Sequence, residues 1–172
     1  MPESNFTERP AAPEAIGVWI TLTKGFVALV DREDEHLAAF KWTACVRRRK
    51  NGGVRVYAVR EWVEDGKPIR QLLHHAVRPR SDVDTDHHDG DTLNNRRSNL
   101  RDATRTQNNA NAVKRGGIYG SRFKGVYRCG KRWTAQVRNK HIGCFRSEVN
   151  AATAYNFAAY ELFGEFSRGN LP

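Results

Sequence analysis

At 172 residues, with 39% hydrophobic and 10% aromatic residues, the chain can build one ordinary domain or two small ones with modest cores. Lys and Arg number 29 against 19 Asp and Glu; the resulting net charge of +10 and pI near 9.9 point to a polyanionic partner. No apolar run approaches the roughly 18 residues of a membrane span, and the N-terminal MPESNFTERPAAPEA is unlike a signal peptide, so the expected partner is nucleic acid, met in the cytoplasm.

Residues 1–14 hold three prolines and no hydrophobic pattern, and are expected to be disordered. The following GVWITLTKGFVALVD reads as a hairpin turning at Thr23-Lys24-Gly25, with β-branched residues on both arms. DREDEHLAAF, acidic at its start and apolar at its end, suits a short helix whose dipole is satisfied. KWTACVRRR and VRVYAVREWV flank Asn51-Gly52, the pair that supplies the positive φ angles of a tight hairpin. The cationic tip RRRKNGG suits either solvent or a phosphate backbone. EDGKP makes a further turn into IRQLLHHAVRP, apolar enough to pack against the sheet.

Next comes DVDTDHHDGDTLNNRRSNLRDATRTQNNAN, residues 82–111, which gathers acids, histidines, amides and arginines that are costly to bury. A solvated polar loop and a metal-dependent phosphate site both account for such a composition. The second has specific requirements: a general base near the attacking water, hard oxygen ligands for a divalent ion, and a partner that fixes the base in its tautomer. Asp86 and His87 are adjacent at the end of a short strand, where neighbouring side chains point to opposite faces. Thr104 and Gln107 have capping-box spacing and start a helix that holds Asn108 in its first turn. One carboxylate and one amide oxygen form a sparse, hard site, which favours Mg²⁺, with Mn²⁺ as a substitute, over zinc. A calcium loop fails on register, because Gly90 as the turn glycine puts Thr85 and Arg96 at the first and last ligand positions. The three cysteines, Cys45, Cys129 and Cys144, are nowhere spaced C-x-x-C, which argues against a thiolate zinc ribbon.

The elements LLHHAVRP, DTDHHDGDTLNNRRSNLRDAT and QNNAN resemble, in order and spacing, the HNH nuclease motif of phage and intron homing endonucleases. The resemblance covers Leu73 to Asn111. It implies a fold of two antiparallel strands and a helix, with Asp86 and Asn108 as metal ligands and His87 as general base. It makes Asn99 a catalytic-site residue that orients His87 and ties down the loop. The β-rich region from Ile20 to Arg60 is similar to the one that precedes the motif in this family. His88, His75 and Thr85 depart from the family's usual residues, but none of them replaces a catalytic group.

After the basic, glycine-rich linker 113–120, residues 121–172 read as a unit of their own. RFKGVYRCG, KRWTAQVRNK and HIGCFR are three short strands, and Ser147 caps the helix EVNAATAYNFAAYELFG, which stops at Gly164. Ala151, Ala154, Ala158 and Ala159 let the helix lie close on the strands. From Ala110 to Pro172 there are eleven Lys and Arg against three Glu, so most of the net charge sits here. The elements KGV, W-x-A, G-x-F, AA-x-AY and FGE-x-x-R-x-N are similar to those of the plant ethylene-response-factor (APETALA-type) DNA-binding domain. That resemblance implies a three-stranded sheet laid in the major groove, with Lys124, Gln136 and Arg138 at contact positions. Arg128, Lys131 and Arg132 fit phosphate contacts, and Arg96 and Arg97 of the nuclease motif are further candidates for DNA binding.

The expectation is therefore an α+β protein with a nuclease domain over 15–112 and a DNA-binding domain over 121–172. Its activity would be site-selective, metal-dependent cleavage of double-stranded DNA, by nicking if it acts as a monomer. The competing expectation is a DNA-binding protein on a silent nuclease scaffold. A decayed site would lose one of Asp86, His87, Asn99 or Asn108, and all four are present.

Overall fold

The computed structural model describes residues 17–48, 53–114 and 120–170, an α+β protein with several small antiparallel sheets. The expected disordered tail, the Asn51-Gly52 turn and residues 115–119 of the linker lie outside the described residues.

Strands β1 (Val18–Thr21) and β2 (Val27–Val30) pair antiparallel around a turn in which Lys24 and Gly25 take φ of 62° and 75°. The acidic segment that follows is helical as expected, but as a 3₁₀ turn, Arg32–Ala39, with Glu33, Asp34 and Glu35 at its start. Strands β3 (Thr43–Arg48), β4 (Val54–Glu64) and β5 (Lys67–Leu72) form an antiparallel sheet in chain order. The segment IRQLLHHAVRP divides: its first residues belong to β5, an edge strand that tolerates Pro68, and Leu73–Val77 forms the short helix α1. Ile20, Val30, Trp42, Ala58, Leu73, Val77 and Leu100 bury one apolar cluster, which joins both sheets to α1. Buried Trp42 donates its indole N–H to the Leu37 carbonyl, so its polar atom is satisfied inside that core.

Strands β6 (Asp84–His87) and β7 (Leu100–Ala103) pair with Asp86 opposite Arg101 and His87 opposite Leu100. Helix α2 (Arg105–Asn111) begins at the Thr104/Gln107 capping box read from the sequence, with both reciprocal bonds made. Leu100 joins the apolar core, which fixes the face that β7 turns toward it and with it the register of the pair; Ala103, on the opposite face, is also buried.

The C-terminal strands β8 (Val126–Cys129), β9 (Arg132–Val137) and β10 (Lys140–Phe145) form an antiparallel sheet in the order β10-β9-β8. Helix α3 (Glu148–Phe163) packs on one face and runs on into a 3₁₀ turn, Gly164–Phe166. Phe123, Val126, Ala135, Val137, Ala151 and Tyr155 belong to a second core cluster, which also takes in Ala152, a residue missed among the helix alanines. Ser147 stands at the N-cap, but its side chain makes no capping bond. The first turn rests instead on the Ser147 carbonyl, which accepts from the Ala151 N–H, and on the charge of Glu148.

Gly125 is where this unit has least tolerance. It has φ of 67°, and a Cβ there would lie 2.2 Å from the Tyr155 ring and 2.4 Å from the Gln136 carbonyl oxygen. Gly130 has φ of 57° but open space around it. Gly125→Ala is expected to cost about 3 kcal/mol, strain and overpacking together, against about 1 kcal/mol for Gly130→Ala. Urea unfolding of both variants checks this; equal losses would contradict it.

Candidate active site

His87 ends β6, where pleating and a buried partner strand turn it inward; it is 5% exposed. Its Nε2 lies 3.3 Å from Asn95 Oδ1, and the Asn95 amide N–H donates to the Leu93 carbonyl. That second bond fixes which end of the amide faces the ring. An amide oxygen only accepts, so the proton sits on Nε2 and the neutral ring keeps a lone pair on Nδ1. Burial lowers the His87 pKa below its usual 6.5, against the opposing pull of Asn95 and of Asp89, Asp86 and Asp91. The ring is therefore neutral near pH 7, as a general base requires.

The loop after His87 is tied at many points. Asn99 is 7% exposed; its Oδ1 accepts from the Asp89 N–H, and its Nδ2 donates to Asp89 Oδ1 and to the Asn94 carbonyl. Asp89 also accepts from the Asp91 N–H and from Asn94 Nδ2. Burial works to raise the Asp89 pKa, but these bonds outweigh it and hold the carboxyl below its usual value. The Leu29 carbonyl accepts from the Asn95 N–H, and the Thr92 hydroxyl donates to the Val56 carbonyl, so β2 and β4 anchor the loop. Asn99 thus ties down the loop. The amide that meets His87 is Asn95 rather than Asn99, because Asn99 turns toward Asp89.

Asp86, 4% exposed, is held from two sides. Across the strand pair, Arg101 donates from Nε and Nη2 to Oδ2 at 3.0 and 2.9 Å. From α2, Asn111 Nδ2 lies 3.0 Å from Oδ2, 3.2 Å from Oδ1, and within bonding distance of the His87 and His88 carbonyls. Oδ2 is therefore crowded, while Oδ1 has one long contact and keeps lone-pair capacity for a cation.

Asp86, His87 and Asn108 line one cleft of about 930 Å³. A carboxylate and an amide oxygen lining one cleft are hard oxygen donors of the kind a divalent ion that retains water takes, and Asp86 and Asn108 could hold such an ion. The tightest group of three acidic side chains among the described residues, Asp31, Glu33 and Asp34, lies elsewhere and is engaged by Arg97. The cleft is also lined by Arg47, Arg55, Arg80, Arg105 and Arg168, which make it attractive to a phosphate backbone despite its aspartates.

His74 lies beside His87, and His75 beside His74. The His74 ring meets His87 edge-on at 5.2 Å and His75 at 4.3 Å. Burial, followed by His87 and His75, pushes the His74 pKa down to about 3. An unfolded chain takes up this proton near pH 6.5, and the folded one resists until about pH 3, so stability falls as pH drops through that window. Between pH 7 and 5 the loss attributable to His74 is about 1–2 kcal/mol. His74→Gln should flatten that decline in urea midpoints; an unchanged pH dependence would contradict the assignment.

The residues expected to touch DNA divide into two sets. Lys124 does not face outward: its ammonium donates to the carbonyls of Asn109, Ala110 and Ala112 at the end of α2, and burial with nearby Arg168 lowers its pKa to about 8. Arg97 is clamped by Asp34 through Nε and Nη2 and also pairs with Glu33. Arg96 donates to Asn94 Oδ1. Arg128 pairs with Trp133 across β8 and β9 on the helix side of the sheet, its guanidinium 5.3 Å from that ring. Lys131, Arg132 and Arg138 are exposed. Gln136 lies on the face away from α3, where it accepts from the Tyr127 hydroxyl and donates to the Arg138 carbonyl.

Three residues of the site escaped the sequence reading. Asn111 follows Asn108 at i+3, a helical spacing that puts both on one side of α2 and could have been read from QNNAN. Arg101 depends on strand register and Asn95 on the path of the loop, and neither has a local signal. No family model, curated protein or solved structure matches this chain.

Proposed function

We propose that the chain is a metal-dependent endonuclease of the HNH, homing type that hydrolyses phosphodiester bonds in double-stranded DNA. The observation that carries this reading is the neutral, buried His87, its tautomer set by Asn95, sharing a cleft with Asp86 and Asn108. His87 takes a proton from water at Nδ1, the water oxygen attacks phosphorus, and the bond to the 3′ oxygen breaks. When bound by Asp86 and Asn108, Mg²⁺, or Mn²⁺ in its place, supplies the charge that offsets the negative charge building on phosphate and leaving oxygen. One base per chain means one strand cut per event, so a monomer nicks and a double-strand break takes a dimer or two bindings. The exposed side of the C-terminal sheet, with Arg132 and Gln136 on it and Lys131 and Arg138 at its turns, is the surface that selects the target. Arg128 adds a phosphate contact from the edge. Lys124 and Arg97, engaged within the fold, are left out of that surface.

A second reading, a DNA-binding protein on a silent scaffold, has one observation in its favour: Arg101 and Asn111 already occupy Asp86 Oδ2. Metal titration separates the two. Loss of an amide ligand should raise the Mg²⁺ concentration for half-maximal nicking by Asn108→Ala about tenfold or more. An unchanged Mg²⁺ requirement would remove Asn108 from the metal site.

A further inference from the structure

The C-terminal unit reaches into the cleft. After α3 the chain turns back toward α2, and the Arg168 N–H donates to the Ala110 carbonyl at the end of the helix that carries Asn108. Arg168 Nη1 donates to the Asp89 carbonyl, two residues beyond His87, at 3.2 Å. Gly90, at φ of 80°, lies directly under this guanidinium; a Cβ there would fall 2.3 Å from Nη1. The segment is strapped on both sides of Arg168. Arg101 donates to the Glu165 carbonyl and sits 4.0 Å over the Phe166 ring, while the Asn170 side chain accepts from the Lys124 N–H and donates to the Lys124 carbonyl, and the Asn170 N–H donates to Asn156 Oδ1. Arg168 lines the same cleft as Asp86, His87 and Asn108.

We propose that Arg168, supplied by the C-terminal unit, holds a phosphate of the DNA backbone at the cleft of the nuclease site. A guanidinium carries five N–H donors, and the one bond to Asp89 leaves the others for phosphate oxygens. Its fixed position argues for it over the other arginines of the cleft. Arg55 reaches only Tyr57 on its own strand, and Arg105 only Asp84 at 4.0 Å. Arg168 instead spans the loop that follows the base and the helix that carries a metal ligand. The chain therefore cannot present a complete cleft unless the DNA-binding unit is docked, which couples binding to cutting. The phosphate contact requires only DNA binding; its effect on rate rests on the nuclease reading above.

The test uses the full chain with Arg168→Gln, which is neutral but can still donate to the Asp89 carbonyl, and Arg168→Lys. Binding of a fluorescein-labelled plasmid-derived duplex is followed without metal across a salt series, and Mg²⁺-dependent nicking of supercoiled plasmid at saturating protein. Arg168→Gln should lower the slope of log K against log salt by about 0.9, one phosphate contact, while Arg168→Lys keeps it. Nicking by Arg168→Gln at saturation should be slower by about tenfold or more, with Arg168→Lys between, since an ammonium lacks the two-pronged fork. An unchanged slope overturns the proposal, as does a nicking rate equal to that of the wild type. If the wild type does not nick at all, the nuclease reading falls, and the slope alone decides whether Arg168 contacts phosphate.

Discussion

Replacing Arg101 with methionine is expected to destabilise the protein by about 3–5 kcal/mol, the cost of leaving a buried carboxylate without its cation. Arg101 and Asp86 have side chains only 14% and 5% exposed, so little solvent reaches Asp86 once the guanidinium is gone. Methionine keeps much of the stem's packing, so the loss reports the charge. The same substitution also releases the Glu165 carbonyl and the Phe166 ring, which Arg101 holds from the other side. The ion pair of Arg101 with Glu165 adds little, because that carboxylate is 73% exposed. The control is the pair Arg101→Met with Asp86→Asn, which removes both charges and should recover most of the stability in urea unfolding. If Arg101→Met alone costs under about 1 kcal/mol, the Arg101–Asp86 pair is not a buried anchor of the fold.

His87→Ala is expected to slow Mg²⁺-dependent nicking by about 10²–10⁴-fold, the range general bases contribute. Binding should hardly change, since His87 is buried and the cations proposed to meet DNA are elsewhere. Asn95→Ala should act in the same direction but less, by releasing the tautomer that leaves Nδ1 as acceptor. Rates at saturating DNA, beside binding isotherms for each variant, separate chemistry from affinity. A His87→Ala protein that nicks within a fewfold of wild type would mean that another group takes the proton.

What the sequence disclosed was whatever is encoded locally. Alternation and turn residues announce the hairpin at Thr23–Gly25, and a T-x-x-Q spacing announces the capping box at Thr104 and Gln107, with Asn108 placed just inside the helix. Three strands and a helix were readable after the linker because each is bounded by turn or cap residues. Long-range pairings were not readable. Arg101 is an ordinary surface-type residue until the register of β6 and β7 sets it opposite Asp86. Lys124 reads as one more cation of a DNA-binding strand; only the docking of two elements puts it on the carbonyls of α2. Arg97 likewise has its charge absorbed by Asp34, which is 63 positions away in the chain. Charge counts locate the basic unit, but burial and intramolecular partners decide which of its cations stay exposed.

The most direct measurement is Mg²⁺-dependent conversion of supercoiled plasmid DNA to the open circle at low salt, with His87→Ala beside the wild type and DNA binding measured for both. The expected result is that the wild type nicks and that His87→Ala binds equally well without nicking. If both proteins bind and neither cuts, with Mn²⁺ as well as with Mg²⁺, the claim of catalysis is contradicted and the chain is a DNA-binding protein on a silent scaffold.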